Sequence, residues 1–200
     1  NTSYPTIMPA RWYNINFTAG LTNYNTNSTI FSNRFWVETK PILTNPRIIE
    51  PASYSGGWGE RWIFAVNVTD EDLDELTVNL YTNATADGSW ELKASNSSVS
   101  GINVTVTFVI PSPAFSSTYA NTWRMFKFNV SENLVDFAEN KDETLPVNFF
   151  IEKDDVSITH EFGNNTVVNR SDSTSTIYFG VKLTDIDKIP AAAVNGRIID

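Results

Sequence analysis

Five carboxylates crowd six consecutive positions: Asp70, Glu71, Asp72, Asp74 and Glu75. Alternating acids in a turn can bind Ca²⁺ through hard oxygen donors. The EF-hand spacing is incomplete, because Glu75 stands where the sharp-turn glycine belongs and Tyr81 where the bidentate Glu belongs. The run therefore reads as a solvated turn between two strands, its Asp side chains satisfying backbone donors. That reading assigns no metal; calcium at Asp70, Asp72 and Asp74 is the alternative. Other chemistry finds little support. His160 is the only histidine and there is no cysteine to pair with it, so it reads as a strand residue, not a catalytic base. No serine sits in a nucleophile-elbow context, and no carboxylate pair stands out for glycoside hydrolysis. Gly56-Gly57-Trp58-Gly59 lacks the Lys-Ser/Thr of a phosphate loop and precedes a strand, not a helix. No catalytic residue and no cofactor are assigned, and the chain reads as a non-enzyme.

The second chemical signal is an excess of glycan acceptors. Ten Asn-x-Ser/Thr sequons begin at Asn1, Asn16, Asn27, Asn67, Asn83, Asn96, Asn103, Asn129, Asn164 and Asn169. With 22 Asn and 40 Ser or Thr among 200 residues, random placement gives about four. Such a surface belongs outside a cell and implies covalent N-linked glycans. In segments such as Val66-Asn67-Val68-Thr69, Ile102-Asn103-Val104-Thr105, Phe128-Asn129-Val130-Ser131 and Ile15-Asn16-Phe17-Thr18, strand alternation puts the acceptor and its hydroxyl partner outward. The residue between them then points inward.

Composition sets further bounds. A net charge of -9 and a pI near 4.6, with no basic stripe, argue against a nucleic-acid partner. Charged residues make up 18%, below the roughly 25% of ordinary globular proteins. Asn, Thr and Ser carry the polar surface instead, and such a surface depends little on pH. Without cysteine there is no disulfide framework and no zinc–thiolate site. No run of 18 apolar residues is present, so no membrane span is expected. The opening on Asn1, without a charged-then-apolar leader, reads as a mature chain.

The elements that must position these groups are strands. Period-two patterning predicts strands at 11–18, 30–38, 46–50, 61–69, 75–82, 88–93, 102–110, 121–130, 145–152, 156–161 and 175–184. Turn chemistry separates them at Asn45-Pro46, Ser55-Gly56-Gly57, Asp87-Gly88, Pro111-Ser112-Pro113 and Gly163-Asn164-Asn165. Short strands about ten residues apart indicate an all-β sandwich. Trp62, Trp90 and Trp123 fall in strands and are expected in the core. Trp58, in the glycine loop, is the aromatic expected to be exposed. Lys127 and Lys182 lie opposite the apolar faces of their strands, which disfavours an internal Lys–Asn isopeptide bond.

Near the amino terminus, Tyr13, Ile15 and Phe17 give residues 11–18 one apolar face, and a polar stretch follows at 19–29. An apolar strand on a polar tether either folds back or is donated to a neighbour. Burying such side chains at about 1.5–3 kcal/mol each offsets an association cost on the order of 4–15 kcal/mol.

Two segments carry a resemblance. Phe64-Ala65-Val66-Asn67-Val68-Thr69-Asp70-Glu71-Asp72-Leu73-Asp74-Glu75-Leu76-Thr77-Val78 resembles the strand–acidic turn–strand signature of immunoglobulin-like modules in microbial surface proteins. Val130-Ser131-Glu132-Asn133-Leu134-Val135-Asp136-Phe137-Ala138-Glu139-Asn140 is similar to the turn before their last strand, with Glu139 where Gly is usual. Together they mark an immunoglobulin-like unit at about 40–153, with the remaining head residues, 21–40 and 154–200, expected to pair with one another. Taken whole, the chain resembles the glycosylated subunits of archaeal threads. That resemblance implies a pilin-like sandwich head at 21–200 with an N-terminal extension strand at 1–20. It implies a cell-surface filament of identical subunits joined head to tail, each donating Tyr13, Ile15 and Phe17 to the next. What the filament touches, whether surfaces or cells, stays open. The alternative is an immunoglobulin-like module of an S-layer or adhesin protein, stabilised by calcium.

Overall fold

The computed structural model describes residues 8–133, 140–163, 171, 179–185 and 193–194. Fourteen strands run through them. The first two are β1 (Trp12–Ala19) and β2 (Asn27–Trp36). The body holds β3 (Ile42–Glu50), β4 (Ser55–Gly57), β5 (Trp62–Thr69), β6 (Leu76–Thr82) and β7 (Glu91–Val99). It continues with β8 (Val104–Ile110), β9 (Thr122–Glu132), β10 (Lys141–Glu143) and β11 (Val147–Glu152). The last are β12 (Val156–Phe162), β13 (Gly180–Asp185) and β14 (Ala193–Val194). Part of the expected strand at 175–184 lies outside the described residues.

Two sheets of the body face each other, one ordered β3-β5-β8 and the other β4-β11-β9-β6-β7, with β10 added along β9. Alternation builds the core between them. Trp62, Phe64, Val66 and Val68 of β5 and Leu76, Val78 and Leu80 of β6 are buried, as are Phe126, Phe128 and Val130 of β9. Rings interlock across the gap: Trp62 with Phe149 at 5.3 Å, Phe64 with Phe126 at 5.1 Å, Phe108 with Phe128 at 5.8 Å. The indole N–H of Trp62 donates to the Gly57 carbonyl at 3.1 Å, so burying this ring strands no donor.

Some sequence expectations shift. Asn45-Pro46 does not end a strand; Asn45 takes a left-handed φ of 53° and forms a bulge inside β3. Ser55-Gly56-Gly57 is not a turn but β4, paired in parallel with β11. Glycines in and just after it admit close approach: a Cβ on Gly59 would sit 1.9 Å from Asp154 Oδ2, and one on Gly57 would sit 2.8 Å from Asp154 Oδ1. Trp62 is in the core as expected, but Trp123 is 69% exposed and packs on Phe150 over the outer face. Trp90 is also partly open, with the Lys127 ammonium over its ring. Trp58 is partly buried against the core instead of standing free.

The terminal strands form sheets of their own. β1 pairs antiparallel with β2, and β13 pairs with β12 and β14. The polar stretch at 19–29 is therefore the tip of a hairpin, a loop at 20–26 with paired strand ends on either side, not a free tether, and residues 21–40 and 154–200 share no ladder among the described residues.

The two terminal sheets leave the sandwich at opposite ends. β2 feeds β3, whose first residue Ile42 pairs with Thr69, and the short 70–75 turn then leads to Leu76 opposite Glu132. β11 leads to β12 from the other end, where Ile151 pairs with Thr122. The length of β9 separates these ends by about 33 Å at 3.3 Å per residue.

Truncating Phe149 to Ala, which removes a ring touching Trp62, Phe64, Phe115 and Phe126, is expected to cost about 3–5 kcal/mol in urea unfolding. Trp123→Ala should cost less than about 1.5 kcal/mol, since only one exposed ring pair is lost.

Candidate functional site: an acidic joint and two uncovered sheets

The β5–β6 turn is drawn inward at its first residue. Asp70 is 1% exposed. Its backbone N–H donates to the Gly101 carbonyl, its Oδ2 accepts the Asp74 N–H at 2.8 Å, and its Oδ1 has no hydrogen-bond partner. Leu73, at a left-handed φ of 66°, tightens the turn, and the Ser100 hydroxyl donates to its carbonyl. Two distant segments meet this turn. From the β2–β3 linker, the Thr39 N–H and hydroxyl both donate to Asp72 Oδ2, at 2.8 and 3.2 Å. Glu38, next to it, brings its carboxylate within 4.8 Å of those of Asp74 and Glu132. Glu132 ends β9 and accepts a hydrogen bond from the Asn140 amide. Glu71 serves differently, accepting the Ala10 N–H at 3.4 Å at the base of the hairpin.

This crowding perturbs protonation. Burial, a hydrogen bond shared with Asp72, and repulsion from Asp72, Asp74 and Glu132 push Glu38 up to about 8. Burial, followed by the contact with Asp72, raises Asp70 to about 7, although the Asp74 N–H works the other way. Asp72 is the group that stays ionised. Burial opposes its charge, but hydrogen bonds from Glu38, the Thr39 backbone, Asp70 and the Thr39 hydroxyl outweigh it and hold it below the ordinary range. The described ion pairs, Lys40–Asp142, Arg61–Glu50 and Lys127–Glu143, lie elsewhere. What remains is a site for protons or for a hard cation.

The structure gathers Asp70, Asp72 and Asp74, and adds two groups the acidic run does not reveal. Glu38 is 32 positions before Asp70 and Glu132 is 62 after it, each alone among uncharged neighbours. Only the ladders show that a linker and a strand end close on the turn.

The terminal sheets supply uncovered apolar surface. Tyr13, Ile15 and Phe17 share one face of the hairpin with Phe31 and Phe35. Tyr13 stacks on Phe35 at 5.3 Å, and Phe17 meets Phe31 edge-on at 5.7 Å. Phe17 points to solvent, 59% exposed, so the expected inward residue of the Asn16 sequon is not covered. In the C-terminal sheet, Val156 and Ile158 share a face with Val181 and Leu183, and all but Leu183 are exposed. His160 is exposed beside them.

Sequons divide by exposure. Asn16, Asn27, Asn96 and Asn103 are exposed, with Asn96 Oδ1 accepting the Ser98 N–H and Asn103 Oδ1 accepting from the Asn67 amide; Asn1, Asn164 and Asn169 lie outside the described residues. Three others are committed within the fold. Asn83 Oδ1 accepts the Met125 N–H, Asn129 Oδ1 accepts from Asn79, and Asn67 Oδ1 accepts from Arg47 and Thr105.

No protein-family model matches this chain, and no curated protein matches its sequence. Among the described residues, no helix is long and apolar enough to cross a membrane.

In chelator, the raised groups make the native state bind protons that the unfolded chain has already released. Stability is therefore highest near the unfolded values and falls as pH climbs from about 4 to about 8. Asp70→Asn should flatten that slope in thermal melts between those limits. Glycopeptide mass spectrometry of native material should find glycans at Asn16, Asn27, Asn96 and Asn103. Asn83, whose amide oxygen closes a backbone bond, should be bare.

Proposed function

We propose that this chain is a structural subunit of an extracellular, N-glycosylated assembly, joining copies head to tail through its terminal sheets. One observation carries the reading: two uncovered apolar sheets leave the sandwich at opposite ends, too far apart to cover each other. The link at Lys153–Asp155 is short, and Asp154 sits against Gly57 and Gly59. At the other end, Thr39 and Ala10 tie the hairpin base to the acidic turn. A contact between opposite ends of neighbouring copies is heterologous, and such a contact builds an open filament wherever its rotation does not close on itself.

Charge supports the match. Residues 8–37 contain Arg11 and Arg34 and no acid, whereas 153–163 and 179–185 contain Asp154, Asp155, Glu161 and Asp185 against Lys153 and Lys182. Complementary potentials of this kind steer encounter and fix orientation. The donated element is the whole hairpin, with Tyr13, Ile15 and Phe17 as its inserted face. β1 also keeps one edge free of any ladder among the described residues, which leaves strand addition open to it. The ten sequons support a location outside the cell.

The acidic joint favours a second reading, in which the chain is an immunoglobulin-like module of an S-layer or adhesin protein and adjoining modules cover the same sheets. Mixing separates the two. Phe17→Glu blocks the hairpin face and Ile158→Glu blocks the C-terminal face, so each alone should remain monomeric while the wild type polymerises. Mixed, they should form one-to-one dimers that cannot extend, read by light scattering. Assembly by either variant alone overturns the head-to-tail reading, and a wild type that stays monomeric at about 100 µM, well above the µM range of specific interfaces, selects the module.

A further inference from the structure

We propose that a calcium-class divalent cation binds among Glu38, Asp70, Asp72, Asp74 and Glu132, and that it locks the N-terminal hairpin to the sandwich. The inference holds whether or not copies join. Its first support is how the carboxylates are divided. In Asp70, Oδ2 is held by the Asp74 N–H while Oδ1, on a side chain 1% exposed, has no partner. In Asp72, Oδ2 is held by Thr39 while Oδ1 is buried without a partner. One oxygen of each is fixed by a backbone donor, and the other is kept from water with only neighbouring carboxyls beside it. Glu38 Oε1 is likewise buried without a hydrogen-bond partner of its own. A buried carboxylate oxygen without a partner is costly, and several side by side call for a shared counter-charge.

The donor set selects the cation. Every group is a carboxylate; the only histidine is on β12 and there is no cysteine, so soft and borderline metals lack their ligands. Oxygens of Glu38, Asp74 and Glu132 lie within 4.8 Å of one another, the span of two Ca²⁺–oxygen bonds of about 2.4 Å. Mg²⁺, with bonds of about 2.0–2.1 Å and a preference for retaining water, fits an all-carboxylate cage less well.

The coupling follows from where the ligands come from. Asp70, Asp72, Asp74 and Glu132 belong to the sandwich end, and Glu38 belongs to the linker between hairpin and sandwich. A cation holding both makes the joint rigid. Without it, hydrogen bonds from Thr39 and Glu38 to Asp72 tie the linker to the turn.

The test uses the full chain stripped with EGTA. Adding about 1 mM Ca²⁺ should raise the melting temperature by more than about 5 °C, and Mg²⁺ by less than half as much. Calcium should also protect the amides of residues 37–40 from hydrogen exchange. Glu38→Gln lies outside the core and should fold. In EGTA it should melt at or near the wild type, because Gln keeps a donor toward Asp72. In calcium it should melt below the wild type, with affinity weakened at least about tenfold. No thermal shift in the wild type at about 10 mM calcium, above the range of even weak extracellular sites, overturns the proposal. An equal shift in Glu38→Gln removes the linker from the site and overturns the lock.

Discussion

The layer of rings formed by Trp62, Phe64, Phe126 and Phe149 is what the rest of this molecule depends on. Two sheets with polar outer faces have no reason to stay together except the apolar surface they share, and aromatics supply most of it per residue. With no disulfide available, this contact and the flanking aliphatics hold the body. Close packing across β5 and β9 fixes the positions of both their ends. The acidic turn at one end and the glycine strand at the other are placed by that register.

At the acidic end the fold tolerates a local cost. Asp70 is buried immediately after Val68 and Thr69, where the chain leaves one sheet for the other, and nearby carboxylates raise the price of its charge. A satisfied turn would need one acid here, not several. Contacts from Thr39 show that part of this charge orients the linker to the hairpin. The remainder is the reason to read the joint as a binding feature and not merely as a crossing between sheets.

Much of the architecture was legible because burial of the large side chains followed alternation. β5, β6, β8 and β9 were readable from Phe64, Leu80, Phe108 and Phe128 and their neighbours two positions away. β7 was legible only in its first residues, since Lys93, Ser95, Asn96 and Ser97 give a sheet-edge strand no apolar signature. β4 was hidden by its glycines, which read locally as a turn; its pairing with β11 is set by close backbone approach, which no local pattern encodes. Trp123 misled for a related reason: alternation gives the face of a residue but not whether that face is covered. The acidic site was half visible. Its contiguous carboxylates stood out, while Glu38 and Glu132 arrive through long-range ladders that a linear pattern does not carry.

The opposed exits of the terminal sheets bear on how the body would carry load. Tension entering at Ile42 and leaving at Glu152 runs lengthwise along β3 and β11, which belong to different sheets and pair with β5 and β9. Such pulling slides each strand along its neighbour, so the ladder bonds share the force instead of parting one after another. The same sandwich pulled from one end would unzip. As built, it has the geometry of a link in a chain under stress.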